Sequence, residues 1–387
     1  MLNGRIYRAA FVPLLFALVI AGFSLTDRTP PLGSTLAPQA FEGARAFAEL
    51  QSLARRFPDR RPGSAGDQGL AAEVTRTLRG FGGAAKGGFS VSTRTFRAQT
   101  IDGERTLTTV IAQRPGTTGE APIVILAHRD AAGQGAAAEL SGTAALLELA
   151  RVLAAGETQR TIVLVSTSGG SGGNAGAADF AAHAGAILGA GGGAGEAGSG
   201  WAGSPIQAAL VLGDLAGASL RAPLVASFSD GPAAAPALLR STLAAALAQQ
   251  AGVAAGVAGG TADTWTQLAH LVFPLAAGEQ GPLDARWLPA VMLGVGGERP
   301  PPAAEPVSAA RLEGFGRAAL AAVYALDGAP ETANGPSGSP SIPGGLRSTG
   351  FETELSIQHK AIPGWALRLL VAALLAPALL ALGDGLA

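Results

Sequence analysis

The chain has 387 residues, which is enough for one large domain or two of ordinary size. Hydrophobic residues make up 48% of it and charged residues 14%, and the net charge is −1, so no basic tail or excess of positive charge attracts nucleic acid. There is no cysteine, which excludes disulfides, thiolate zinc sites and cysteine nucleophiles. The 56 glycines and 25 prolines are typical of a high-GC bacterial genome and make any single glycine motif weak evidence.

The first apolar run covers residues 9–25 and follows Arg5 and Arg8. It is close to the shortest length that spans a bilayer, roughly 17–25 residues. A cleaved signal peptide is the competing interpretation, but residues 26–31 contain no cleavage site of small residues. We interpret residues 1–25 as a transmembrane anchor or signal-anchor, with the arginines in the cytoplasm and the rest of the chain outside it.

The second apolar run covers residues 365–382, and its part from Leu369 to Leu382 has no polar side chain to face water. We interpret residues 363–383 as a second transmembrane helix; a buried amphipathic helix is the alternative. A linker (26–38) and a Pro/Gly/Ser-rich tether (328–362) join the two spans to a domain at 39–327. The predicted location is the cell membrane, with the domain extracytoplasmic and peptide or another membrane protein as partner.

Within 39–327, apolar periodicity predicts helices and strands in alternation. Helices are expected at 41–57, 68–79, 141–155, 175–184 and 308–326. Strands are expected at 89–97, 105–113, 122–127, 160–166, 207–212, 224–228 and 289–295, and a glycine-rich loop at 191–203. This order predicts an α/β three-layer sandwich with a mostly parallel mixed sheet. In such folds, functional side chains gather where the parallel strands end.

Polar residues follow two of the buried strands. His128 and Asp130 come after the strand 122–127, and Asp214 comes after the strand 207–212. In a His-x-Asp motif the imidazole binds a metal and the carboxylate orients it from the second shell. Asp214 offers a further oxygen ligand. The alternative is that these residues cap a strand and a turn.

Six segments in the same order resemble the zinc aminopeptidase family of metallopeptidases. They are Arg61-Pro62-Gly63-Ser64, His128-Arg129-Asp130, the helix from Ser141 to Arg151, the strand from Arg160 to Val165, the segment from Leu212 to Gly217, and the strand from Leu288 to Leu293. The resemblance implies a zinc-exopeptidase-like domain over roughly residues 40–327. It also implies two zinc ions held by His, a bridging Asp, Glu, Asp and a final His, with a second Glu as general base.

At most of the positions that the resemblance assigns to zinc ligands or to the general base, this chain has a different residue. Ala138 replaces the bridging Asp, and its neighbour Glu139 is expected to point elsewhere. Gly170 and Ser171, or the pair one residue earlier, replace the Glu pair, and neither alignment supplies a carboxylate. Glu279-Gln280 replaces an Asp-His pair, and the final His has no counterpart after the strand 289–293. His128 and Asp214 remain, with Asp130 behind them. Two ligands do not hold zinc tightly, so no cofactor is expected unless other residues complete the site.

The favoured function is therefore a pseudo-peptidase, a catalytically inactive scaffold or binding domain. One alternative is an active zinc metallopeptidase that recruits Glu139, Asp130 and Glu279 as ligands. Another is a serine hydrolase, because Gly169 to Gly173 fits Gly-x-Ser-x-Gly between a strand and a helix. Ser171 would then be the nucleophile, with His128 or His183 as base and Asp214 as acid.

Overall fold

The computed structural model describes residues 4–27, 30–81, 88–189, 204–231, 234–253, 267–270, 273–329, 354–357 and 360–386. The glycine-rich loop expected at 191–203 lies outside these residues. So does most of the tether expected at 328–362.

A seven-stranded mixed sheet forms the centre of the domain. Its strands are β2 (Ser90–Thr100), β3 (Gly103–Arg114), β4 (Ile123–His128), β5 (Ile162–Thr167), β6 (Ala208–Leu212), β7 (Val225–Ala226) and β8 (Ala290–Leu293), in the order β2-β3-β5-β4-β6-β8-β7. The four strands β5, β4, β6 and β8 are parallel, and the outer strands are antiparallel to their neighbours. The predicted α/β fold with a mixed, mostly parallel sheet is confirmed.

Helices pack on both faces of the sheet. The described helices are α1 (Gly4–Phe23), α2 (Gly43–Arg56), α3 (Ala65–Gly80), α4 (Ser141–Ala155), α5 (Ala175–Ile187), α6 (Ala237–Ala251), α7 (Gln280–Asp284), α8 (Ala309–Asp327) and α9 (Gly364–Leu386), of which α1 and α9 pack against each other at the two ends of the chain. Alternate residues of β4 enter two separate apolar cores: Ile123 and Ile125 join the core with α4 and α8, whereas Val124 and Leu126 join the core with α5. This alternation explains why the strand is apolar throughout.

The two terminal helices contact each other, and a small sheet joins their inner ends. In this sheet β1 (Thr26–Asp27) pairs with β10 (Lys360–Pro363), which also pairs with β9 (Glu354–Ile357). The predicted linker and tether thus contain short strands. Among the described residues, no helix combines the length and the apolarity needed to cross a membrane, so the two predicted transmembrane spans are not confirmed.

The start of α4 lies directly against the end of β6, which brings two parts of the candidate site together. At Gly142 an added Cβ would lie 2.3 Å from the carbonyl oxygen of Leu212 and 2.6 Å from that of Gly213. Both atoms belong to the backbone, so neither can rotate away. The glycine that follows Ser141 is therefore required by the close approach of a helix and a strand.

This contact predicts opposite effects of two Gly→Ala substitutions in helices. Gly142→Ala should lower the free energy of unfolding by about 1–3 kcal/mol, because overpacking pushes α4 away from β6. Gly80→Ala is the matched control, since no atom lies within 4 Å of a Cβ placed there. It should leave stability unchanged or raise it by up to about 1 kcal/mol. Denaturant unfolding of the full-length chain tests both, and equal effects would contradict the packing described.

Candidate functional site

The parallel strands end around a cavity of about 140 Å³. His128 is the last residue of β4 and lies opposite Thr167, the last residue of β5. Asp214 follows β6. The cavity is lined by His128, Glu139, Gly170, Ser171, Gly172, Asn174, Asp214, Ala277, Gly278, Glu279, Met292, Gly297, Glu298, Arg299, Pro300 and Pro301. The structure places these side chains at the carboxyl ends of the strands, which is the location that the sequence predicts.

His128 forms an ion pair with Glu279. The imidazole Nδ1 lies 3.1 Å from Glu279 Oε2, and the Thr167 hydroxyl donates to Glu279 Oε1 at 2.7 Å. Burial lowers the pKa of His128, but the hydrogen bond and charge of Glu279, together with Asp130 and Glu139, outweigh burial and raise this pKa to about 9. The imidazole is therefore a fixed cation at neutral pH, with its Nδ1–H donated to a carboxylate.

Asp130 lies behind His128, but its carboxylate has other partners than the imidazole. Its Oδ1 accepts the backbone N–H of Gly170 and its Oδ2 accepts that of Ser171, both at 3.0 Å. Asp130 therefore holds the turn after β5. The predicted task of orienting His128 is carried out by Glu279 instead, from a position 151 residues further along the chain.

The position expected to carry a glutamate pair has no room for one at Gly170. A Cβ added there would lie 2.5 Å from the Cβ of His128 and 2.6 Å from its Cγ. The histidine therefore occupies the space that a side chain at this position needs. The hydroxyl of the next residue, Ser171, donates a hydrogen bond to Glu139 Oε2 at 2.8 Å.

Glu139 faces the cavity, and the expectation that it points elsewhere is wrong. It lies in the short 3-10 turn Ala138–Leu140 that precedes α4, where the backbone turns more tightly than in an α-helix. Only 5% of the residue is exposed. Burial raises the pKa of the Glu139 carboxyl, against the lowering effects of the Ser171 hydroxyl and the His128 charge.

Asp214 has one carboxylate oxygen fully engaged. Its Oδ1 accepts the Ser141 hydroxyl at 3.1 Å and the backbone N–H groups of Ala216 and Gly217 at 2.9 and 2.8 Å. Burial raises the pKa of Asp214, and these hydrogen bonds counteract the rise. The carboxylate thus closes the turn after β6 and also lines the cavity.

The predicted serine triad is not assembled. The strand–turn–helix context is present, with left-handed backbone at Gly169 (φ +81°) and Gly172 (φ +80°). However, Ser171 bonds to Glu139 and not to a histidine, and His183 pairs with Arg94 and the Asp179 carbonyl oxygen on α5. The backbone N–H groups of Gly170 and Ser171 are donated to Asp130.

The residues around the cavity do not fit the two-zinc arrangement implied by the resemblance. Across the described part of the chain, no three His, Asp or Glu side chains are grouped so that they could hold a metal ion. Both oxygens of Asp130 and both of Glu279 already accept hydrogen bonds, and so does one oxygen of Asp214. The alternative ligand set of Glu139, Asp130 and Glu279 is therefore not brought together as a metal site.

Two residues of the cavity carried no signal in the sequence. Asn174 has a left-handed backbone (φ +52°) at the start of α5, and its Nδ2 donates to the carbonyl oxygens of Ala277 and Gly278. Glu298 follows β8 and accepts a hydrogen bond from Gln280. Neither residue stands in a motif, and both reach the site through loops whose path depends on tertiary packing.

The ion pair predicts a pH dependence of stability. Because folding raises the pKa of His128 from 6.5 to about 9, the pair contributes fully below about pH 6.5. That contribution is lost as the pH rises through about 9, up to about 3 kcal/mol in all. Glu279→Gln should abolish this loss and bring the pKa of His128 below 6.5, because burial then dominates.

Denaturant unfolding between pH 6 and about 10, together with NMR titration of the imidazole, measures both effects. Glu104→Gln is the control, since its ion pair with Arg97 is exposed. The same pH profile in the wild type and in Glu279→Gln would contradict the assignment.

Residues 109–264 match the model of peptidase family M28. No curated protein matches the chain closely enough to be counted a relative. A zinc aminopeptidase from Bacillus subtilis is 11% identical, with a TM-score of 0.53, over 80% of this chain and 99% of its own.

Two glutaminyl cyclases share the fold as well. That of Macrostomum lignano is 15% identical with a TM-score of 0.53, over 78% of this chain and 95% of its own. That of an Acidobacteriales bacterium is 16% identical with a TM-score of 0.51, over 78% and 99%. At these identities the structures are evidence of a common fold alone. The family match over residues 109–264 and the shared fold confirm the predicted resemblance to the zinc aminopeptidase family.

Proposed function

We propose that the domain is a pseudo-peptidase, a zinc-aminopeptidase-like fold that binds a ligand or partner and does not hydrolyse peptides. The observation that carries this proposal is the contact between Gly170 and His128. The resemblance puts a carboxylate pair for zinc binding and water activation at Gly170 and Ser171, and the His128 ring lies where a side chain at 170 would be.

The remaining acids support the same proposal. A general base needs a free carboxylate beside a water that a metal or another group activates. Glu279 neutralises His128, Asp130 holds a backbone turn, and Glu139 accepts a hydroxyl. Their hydrogen bonds hold the turns around the cleft in place. These carboxylates therefore stabilise the shape of the cleft and are not free to act as general bases.

The test is zinc content and activity measured on one sample. Full-length protein purified without chelator should contain far less than one zinc ion per chain. It should neither release amino-terminal residues from peptides nor cyclise amino-terminal glutamine, the reactions named for the proteins that share its fold. The double variant His128→Ala, Asp214→Ala is the matched control, and the Bacillus subtilis enzyme is the positive control. Stoichiometric zinc that is lost in the variant, with activity lost alongside it, would overturn the proposal.

We further propose that the terminal helices attach the protein to a membrane and that the domain is extracytoplasmic. The supporting observation is their apolar surface. Phe11, Val12 and Phe16 of α1 are 62–67% exposed, and Leu374 and Leu375 of α9 are 54–56% exposed. Exposed side chains of this size in a cluster mark a surface that meets lipid or another protein. The arginines at 5 and 8 favour a cytoplasmic amino terminus.

Membrane attachment predicts that the full-length chain floats with vesicles and resists carbonate extraction. The pair Val12→Asp and Phe16→Asp should release it, because a charge on the apolar face is costly in lipid. Ser34→Asp, at an exposed polar position, should have no effect. Because the chain has no cysteine, Ser34→Cys alone reports orientation: an impermeant maleimide should label it from outside intact cells. A chain that remains soluble, or labelling only after lysis, would contradict the proposal.

A further inference from the structure

The strand β2 forms one edge of the central sheet, and the outer side of this edge is unpaired in the described part of the chain. β2 pairs with β3 on its inner side, and no described strand pairs with its outer side. Each of its 11 residues has one partner in β3, so no bulge interrupts the edge. The strand also contains no proline and no lysine. Three features that commonly keep other chains from pairing with an edge strand are therefore lacking.

The backbone of every second residue of β2 points to the open side. Arg129 donates to the carbonyl oxygen of Thr108 in β3 and to two carbonyl oxygens at the end of β5, so Thr108 directs its backbone groups away from β2. Thr95 is the partner of Thr108 in β2. In an antiparallel pair of this kind the two residues exchange no hydrogen bonds, and both point outward. The N–H and C=O of Thr95 therefore lie on the open edge, and alternation places those of Thr93 and Arg97 there as well.

A groove of about 580 Å³ lies between α3 and the two outer strands. Residues of α3 between 68 and 79 line one side of it, and Thr93 and Thr108 line the other. Thr95 lies opposite Thr108 and on the same face of the sheet as Thr93. A further strand that paired with β2 would therefore direct every second side chain toward the face on which the groove opens.

The α3 side of the groove carries an excess of positive charge. Arg76 and Arg79 both line the groove, and both are exposed. Glu73 forms ion pairs with Arg76 and also with Arg56, so two guanidinium groups share one carboxylate. Arg79 forms no hydrogen bond or ion pair with any described residue. The charge of the groove therefore complements an acidic side chain.

The charges of β2 itself favour a foreign segment over a second copy of this chain. Arg94 pairs with Asp179 on α5, and Arg97 pairs with Glu104 on β3, so both arginines of the strand are neutralised within the chain. β2 contains no acid. A second copy that paired through the same strand would thus bring no carboxylate of that strand to Arg79.

We propose that an extended acidic segment of a partner protein adds to the outer edge of β2 as a further strand. Its backbone exchanges hydrogen bonds with the outward groups of Thr93, Thr95 and Arg97, and an acidic side chain on the groove side contacts Arg79. In this mode of binding, main-chain pairing provides the affinity, and the contacts of alternate side chains provide the preference for sequence. The surface goes beyond the proposed function, because none of these residues lines the cavity at the strand ends.

The test uses the full-length protein in a mild non-ionic detergent and three fluorescent peptides of about nine residues. The first alternates threonine and valine and has a glutamate at its centre. The second has a lysine in place of the glutamate, and the third is the first with its backbone nitrogens methylated. Fluorescence anisotropy should detect saturable binding of the glutamate peptide. The lysine peptide should bind at least about fivefold more weakly because it meets a cation, and the methylated peptide at least about tenfold more weakly because it has no backbone donors.

Two pairs of variants test the surface of the protein. Thr95→Pro removes an outward N–H without removing a hydrogen bond between β2 and β3, and it should weaken binding of the glutamate peptide by at least about tenfold. Thr95→Ala keeps the N–H and should change the affinity by less than about threefold. Arg79→Gln should weaken binding by about fivefold and remove the preference for glutamate over lysine. Arg55→Gln removes an equal charge from an exposed position on α2 and should change the affinity by less than about twofold.

Circular dichroism and thermal unfolding establish that each variant is folded. If Thr95→Pro is not folded, the comparison of the glutamate peptide with its methylated form decides, because it needs only the wild type. The proposal is overturned if the glutamate peptide does not bind, if either other peptide binds equally well, or if folded Thr95→Pro keeps wild-type affinity. Sedimentation of a wild-type dimer that Thr95→Pro disrupts would also overturn it, since a second copy would then occupy the edge. The zinc and activity assay has no bearing on these outcomes.

Discussion

The buried guanidinium of Arg129 organises the end of the sheet on which the site depends. Its Nη1 donates to the carbonyl oxygens of Ser166 and Thr167, its Nη2 donates to that of Thr108, and its Nε lies 2.8 Å from Asp67 Oδ1. One side chain thereby joins β4, β5, β3 and α3. A fully buried charge is tolerated only when its donors are satisfied, so this geometry permits little displacement.

A second buried arginine completes this arrangement. The Nε of Arg60 donates to the carbonyl oxygen of Arg129, and its Nη2 donates to that of Ala136, ahead of the turn that carries Glu139. Burial raises the pKa of Asp67 although the charge of Arg129 lowers it. The network joins the strand ends to α3 and to the segment before Glu139, and a buried ion pair of this kind is weak evidence for net stability.

Arg129 stands between the two residues of the His-x-Asp motif, and its burial explains their different roles. His128 faces the cavity and Glu279, whereas Asp130 receives the backbone of the turn at Gly170 and Ser171. The result is a peptidase-like cleft in which the acids are engaged by hydrogen bonds from the protein itself. A fold of this kind does not by itself fix the chemistry at its strand ends, because the side chains there can be used to hold backbone turns in place of a metal.

The sequence by itself determined the fold class and most of its elements, because periodicity is a local property. The helix predicted at 141–155 is found at those residues, and the buried strands 122–127 and 160–166 are displaced by no more than two residues. The helix Ala237–Ala251 was not predicted, since its alanine-rich run shows no clear apolar face. The strands at 354–357 and 360–363 fall mostly within the predicted tether, because they are short and, in the described part of the chain, pair with each other and with the amino-terminal segment.

Only part of the candidate site can be predicted from the sequence. His128, Asp214 and Asp130 were identified as candidates from their positions after strands, and the lack of a carboxylate at Gly170 and Ser171 was evident. Only the tertiary structure decided that Glu279 pairs with His128, that Glu139 turns inward, and that Asn174 completes the cavity. Local sequence patterns specify how a segment is buried. Packing between distant elements decides where a side chain points and which partner it contacts. The partner of His128, for example, lies 151 residues further along the chain.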